Sequence, residues 1–225
     1  KYETDKLVLA NHSLKQLNIL DDDRHKGKFK SVSNFINNCK TNMGIRKLQY
    51  DLHHPINNID TLNENYNITD SVITSGDWEY YRDNLSDIID LERFERELVI
   101  KKQSPKMFTK LHANLITIIE IANKSRVSNE EVYEYTTRKG DPISNGTRIL
   151  ERLEEIFNIE IAATLNDVST DYLSSISFDR LYFIKPGVSH DIDNALHSYH
   201  DCLEIKGAIQ KYLNSIIAKT EKKNK

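Results

Sequence analysis

The chain has 225 residues and sets 31 Lys and Arg against 34 Asp and Glu, a formal charge of −3, which excludes a uniformly basic nucleic-acid-binding body. With 38% hydrophobic and 29% charged residues it reads as a globular chain with a modest core, and no apolar run approaches the roughly 20 residues of a membrane span. Two cysteines, Cys39 and Cys202, both at apolar helical spacings, favour reduced thiols over a disulfide framework, so the expected location is intracellular, nuclear or cytoplasmic.

Only 7 Gly and 4 Pro favour long helices over many tight turns. The chain opens on Lys1 with no signal peptide, and Met43 and Met107 are its methionines, so it reads as a piece of a longer protein. In residues 1–23, Leu7 and Leu9 alternate with smaller or polar neighbours before Leu14, Leu17, Ile19 and Leu20, which predicts a short strand, a turn and a second extended piece. Asp21, Asp22 and Asp23 lack the partner Glu and loop glycine of a calcium loop and read as a solvated acidic turn. Residues 24–30 form a basic loop, able to touch phosphate but by default solvated.

Residues 28–72 organise the rest and predict two helices broken once. Ser31 is a good N-cap, and Val32, Phe35, Ile36, Cys39 and Met43 recur at helical spacing, extended by Leu48 and Leu52. Gly44 inside this run implies close packing, since a helical Gly costs up to about 1 kcal/mol relative to Ala. Pro55 ends the first helix, and Asn57 or Asn58 caps the second, whose expected buried face is Ile59, Leu62, Tyr66 and Ile73. Trp78, Tyr80 and Tyr81 then follow a turn at residues 75–77. With Arg82 as the one basic residue among them, packing under the loop accounts for them better than base stacking does.

A helix is predicted over 87–102, with Ile88, Leu91, Phe94 or Glu95, and Leu98 as its stripe. Ser104 and Pro105 start the next, which runs through Phe108, Leu111, Leu115, Ile118, Ile119 and Ala122 to Asn123. Ser128 with Glu131 predicts a capping box for a shorter helix to Tyr135. Residues 139–142 make a turn, and Ile149, Leu150, Leu153, Ile156 and Phe157 mark another helix. The signal is weak over 158–177. A short strand is expected over 178–184, ended by Pro186 and Gly187, followed by a helix over 189–221, roughly 50 Å long, with Ile192, Leu196, Tyr199, Leu203, Ile205, Ile209, Tyr212 and Ile216 on one face. Residues 219–225 are basic.

Ser31, Thr41, Met43, Gly44, Arg46, Leu48, Leu52, Pro55 and Ile59 lie on or beside the pattern S–x(9)–T–x–M–G–x–R–x–L–x(3)–L–x–x–P, which resembles the opening of the core or lever domain of the MutS family of DNA mismatch-repair proteins. Leu17-Asn18-Ile19 is similar to the triplet that ends the family's entry segment. Asp90, Leu91, Glu92, Arg93 and Arg96 resemble its D–L–E–R–x–x–x–R/K signature, with Arg96 one place early. Pro186 and Gly187, followed by Asp191, Ile192 and Asp193, resemble its P–G turn before the rising lever helix. The resemblance covers residues 7–103 and 185–213. It departs at Asp51, where the family often has an aromatic residue, and at Asn65, where it often has Arg.

The resemblance implies a mostly all-α fold, a single core/lever domain over 1–225: an extended entry at 1–23, a helical core at 31–185 and a lever helix at 189–221. It also implies a complete protein that acts on mismatched double-stranded DNA as a dimer and uses ATP with magnesium elsewhere in its chain, this piece being non-catalytic. The alternatives are a MutS-like recombination protein and a helical interaction scaffold without a DNA role.

Other chemistry is poorly supported. Asp90 and Glu92 as an acid/base pair are two apart on the expected helix and so point in different directions. Gly140 and the Gly146-Thr147 pair lack the Lys and leading strand of a phosphate loop, and no Walker motif occurs. His197 and His200, three apart beside His190, Cys202 and Asp193, share a helix face that can offer zinc two ligands, short of the four of a structural site. His53 and His54 sit at an expected helix end. The N–x–S/T matches at Asn11, Asn67, Asn123 and Asn145 are chance in an Asn-rich chain.

Overall fold

Helical periodicity is realised along almost the whole chain. The structure, a computed structural model, describes residues 6–19, 21, 26–27, 29–166 and 169–223. Among these, the helices in order are α1 (Asn11–Gln16), α2 (Val32–Ile36), α3 (Asn42–His53), α4 (Ile59–Ser75), α5 (Trp78–Leu85), α6 (Leu91–Val99), α7 (Pro105–Ser128), α8 (Glu130–Thr137), α9 (Pro142–Ile156), α10 (Ile159–Ala163), α11 (Thr170–Ser175) and α12 (His190–Lys223). No sheet forms among the described residues, where two isolated antiparallel bridges pair Lys6 with Ile56 and Phe157 with Ile184.

Two extended segments are therefore corrected. Residues 178–184 do not form a strand: Phe178–Leu181 is a 3-10 turn, and only Ile184 pairs in extended fashion. Alternation over a few residues cannot hold a strand without a neighbour to pair with. In the entry segment the predicted strand and second extended piece are replaced by one bridge at Lys6 and by α1, with Asn18 in the left-handed region at φ 50. Leu20, Asp22, Asp23, the 24–25 part of the basic loop and Lys28 lie outside the described residues, as do Asn224 and Lys225 of the basic end.

Most boundaries moved to the strongest local cap. The long first helix is interrupted at 37–41, because the Thr41 hydroxyl accepts the Gly44 N–H at 3.0 Å and starts α3 afresh, while Ser31 accepts the Asn34 N–H at 3.0 Å for α2. α3 ends at His53, before Pro55. Asn58, not Asn57, caps α4 through the Thr61 N–H. Asp90 caps α6, so residues 87–89 are not helical as expected. Asn129 displaces Ser128 as the cap of α8, and α7 runs past Asn123 to Ser128, whose hydroxyl donates to Asp77 at 2.8 Å. α9 starts at Pro142, where the Asp141 carboxylate accepts the Ile143 and Ser144 N–H groups. The weak region yields α10 and α11.

Apolar faces also differ from expectation. Ile59, Tyr66 and Ile73 of α4 are exposed, as are Val32, Phe35 and Ile36 of α2, Leu98 of α6, and both cysteines. Trp78 is exposed on α5 rather than packed under a loop, whereas the Tyr81 hydroxyl accepts from Ser125 at 3.2 Å.

The chain forms two compact units, residues 1–103 with 110–150, and residues 104–109 with 151–225. In the first, Ile88, Phe94, Leu115 and Ala122 are buried with the polar Asn114, Ser125 and Asn129. Each of these polar groups is hydrogen-bonded, as burial requires: Asn129 to Ser71 at 2.7 Å, Ser125 to the Ile121 carbonyl at 2.9 Å. In the second, Ala162 and Leu165 are completely buried, Leu153 is buried, and Phe108 stacks on Phe157 at 4.7 Å. The Asn158 N–H donates to the Phe183 carbonyl and the Lys185 N–H to the Ile156 carbonyl, both at 2.8 Å. Phe178 stacks on Tyr199 near the start of α12.

Candidate functional site

The two signature stretches of the first unit meet at one side chain. Arg46 projects from α3 and its guanidinium grips both oxygens of Asp90, at 2.7 Å each, while its Nε reaches Glu92 at 2.9 Å. Bidentate contact of this kind fixes direction as well as distance, and a lysine cannot reproduce it. Asp90 at the same time accepts the Arg93 N–H at 3.2 Å as the cap of α6, so one carboxylate joins two helices.

Each partner is positioned locally. Thr41 starts α3 so that Arg46 leaves the first turns, and Gly44 completes that turn: a Cβ there would lie 3.0 Å from the Thr41 hydroxyl and 3.4 Å from the Cys39 Cβ. The close packing expected at Gly44 is thus against its own cap. Met43, Leu52 and Pro55 are half-buried, and the Pro55 carbonyl accepts the Leu7 N–H at 2.8 Å. On the other side Leu91 is half-buried, and the loop before α6 is held by Asn114 of α7, whose side-chain oxygen accepts the Ile89 N–H at 2.8 Å and whose amide donates to the Asp87 carbonyl at 3.1 Å.

Sequence reasoning missed Asn114. The signal was there: a lone amide between Leu111, Leu115 and Ile118 on an otherwise apolar helical face, where an unpaired polar group would be costly.

The electrostatics keep both members of this joint charged. The Arg46 guanidinium, then the Arg93 backbone N–H, hold the Asp90 carboxyl at about 2 against the opposing effect of partial burial, with Arg96 adding a smaller attraction. The Asp90 side chain is 12% exposed. Arg46 is itself pushed further above its ordinary range by Asp90 and Glu92. A carboxylate locked this way neither takes nor gives a proton near neutrality. The expectation that Asp90 and Glu92 point apart is corrected: Asp90 is a cap, outside the helical register, and both converge on Arg46.

The remaining predicted residues stand apart from this joint. Arg93 pairs with Glu97 along α6 at 2.7 Å. Pro186 and Gly187 belong to the second unit, where Gly187 adopts φ 88 and its N–H donates to Asp193 at 2.9 Å, closing the turn into α12. A side chain at that φ would be strained. His197 and His200 are exposed, and the His200 ring lies edge-on to Phe178 at 5.1 Å, with Glu204 3.9 Å from its Nδ1. Among the described residues no group of three His, Cys, Asp or Glu stands close enough to hold a metal ion, and no helix is long and apolar enough to cross a membrane. Gly146 lies within α9 with Ile119 3.0 Å from where its Cβ would be, so it forms no backbone cradle for phosphate.

A family model described as MutS domain III matches residues 12–222. A protein of Acanthamoeba polyphaga mimivirus named as a DNA mismatch repair mutS homologue is 29% identical over 110 residues, which is 47% of this chain and 10% of that protein. The DNA mismatch repair protein MutS of Treponema denticola is 23% identical over 219 residues, 97% of this chain and 22% of that protein. The chain therefore spans about a fifth or less of the length of these relatives. The family-model match over residues 12–222, on an all-helical frame, places the chain in the MutS family as its domain III.

Proposed function

We propose that this domain transmits conformational state within a larger MutS-like mismatch-recognition protein, between the part that grips mismatched duplex DNA and the part that binds ATP with magnesium, and that it performs no catalysis itself. In this reading the complete protein works inside the cell as a dimer, and the Arg46 joint keeps the helical body rigid. The observation that carries the reading is α12, a single uninterrupted helix of 34 residues, about 50 Å at 1.5 Å per residue. Its outer half leaves Ile205, Ile209, Tyr212 and Ile216 exposed at alternating spacings of four and three. That is the seam of a helix made to lie against another helix, and a stiff element of this length can carry a bias from one end to the other. The mismatch repair names of the two relatives support the DNA part.

The test is fluorescence anisotropy of the chain with matched and mismatched duplexes over a salt series. Weak binding that ignores the mismatch and fades with salt is expected. Mismatch-selective binding that survives moderate salt overturns the division of labour, because this domain would then read DNA itself. Amide exchange gives a second check: fast exchange at the centre of α12 would mark a hinge and rule out a rigid transmitter.

A further inference from the structure

We propose that the outer face of α4, together with the groove between α4 and α8, is a docking surface for a basic amphipathic helix of another protein. Ile59, Tyr66 and Ile73 lie seven residues apart on α4 and are 72%, 65% and 62% exposed. Seven residues is two helical turns, so the three side chains form one straight stripe along the 17-residue helix. The inward side of α4 is already satisfied against α8: Ser71 exchanges hydrogen bonds with Asn129, Tyr135 donates to Asn65 at 3.5 Å, and Glu64 pairs with Arg138. The stripe is thus surplus to the packing of its own unit.

Its flank decides the partner. A groove of about 380 Å³ between α4 and α8 is lined by Asp60, Glu64, Glu131, Glu134 and Arg138, with Asn63 and Asn67 between. Arg138 is taken by Glu64 and is also drawn by Glu134, which leaves Asp60 and Glu131 without an ion pair among the described residues, and Asp70 stands exposed beside the stripe on α4. Phosphate is repelled from such a surface, so a nucleic acid does not fit it. A helix carrying apolar residues at a seven-residue repeat, with Lys or Arg on its flank, matches both the stripe and the charge. Tyr66, a large amphipathic side chain at the middle of the stripe, is the anchor.

The probe is a fluorescein-labelled 20-residue helical peptide with three leucines seven apart and Lys and Arg between them, titrated with the full 225-residue chain. A second peptide keeps the leucines and replaces the cations with Glu. The basic peptide binds saturably and the acidic one does not. Tyr66→Ala weakens binding by about fivefold, in line with loss of a central anchor. Glu131→Lys with Glu134→Lys weakens it by about tenfold, since two attractions become repulsions. All three positions are on the surface, and far-UV circular dichroism confirms that the variants stay folded. The proposal is overturned if neither peptide binds, if both bind equally, or if the basic peptide binds Tyr66→Ala as tightly as the parent. In the last case the interaction is charge alone, or it lies on another surface such as α12.

Discussion

The corner where α6 meets α7 and the outer half of α12 use the same raw material in opposite ways. Both show apolar residues at helical spacing. At the corner, Ile88, Phe94, Leu115 and Asn114 are buried, and Asn114 satisfies the Ile89 N–H and the Asp87 carbonyl of the entering loop. Along α12, Ile205, Ile209, Tyr212 and Ile216 stand exposed. Amphipathic period is a statement that a helix needs a partner, and it is silent on whether this chain supplies one. The corner finds its partner within its unit. The α12 seam stays at the surface, and it carries the proposed transmission.

The largest test of this contrast is Phe94→Ala. Truncating a buried aromatic costs about 3–5 kcal/mol, read as a lower urea midpoint at unchanged slope. A loss below about 1 kcal/mol would mean that the corner is not a packed core. Asn114→Ala comes next, at about 1–3 kcal/mol, because it leaves the Ile89 N–H and the Asp87 carbonyl without partners. The same unfolding series reads it, and a neutral result would show that water replaces the amide. Thr41→Ala removes the cap of α3 and costs about 1 kcal/mol, with the helical signal of that segment fraying first in amide exchange.

The Arg46 joint gives a pH test. Asp90 is held at about 2 in the folded chain, below the ordinary carboxylate value of about 4. Its folded value is depressed, so the stability it contributes is fully present above about pH 4 and is lost as pH falls toward 2. Arg46→Gln removes the main cause of the shift. The gap between the thermal midpoints of parent and variant is expected to stay constant from neutrality to about pH 5 and to close below pH 4. A gap that persists unchanged to pH 2 would break the assignment. The smallest effect belongs to α12: Ile209→Ser is expected to change unfolding free energy by no more than about 0.5 kcal/mol, as for an exposed site. A cost of several times that would mean the seam is covered in solution.

Helix existence was legible for the longer elements, with α7 and α12 read from periodicity, the Pro105 start and the Pro186-Gly187 turn, but not for the short α1, α5, α10 and α11. Boundaries were less so, since several side chains compete for each cap and only one wins: Thr41 within the expected long helix, Asn129 over Ser128, Asp90 three residues inside the expected start. The strand at 178–184 failed because extended pattern means little without a neighbour to complete its hydrogen bonds.

The chain by itself determined its longer helices, its caps as a set of candidates, and its membership of the MutS family, since these rest on local spacing and on short ordered motifs. Only the tertiary structure decided which apolar faces are covered, and that Arg46 and Asp90, 44 positions apart, close on each other while Asn114 steadies the loop between them. The physical reason is that periodicity and capping act within a few turns of one helix, whereas a salt-bridged joint and a buried amide depend on which distant segments are brought within hydrogen-bond reach.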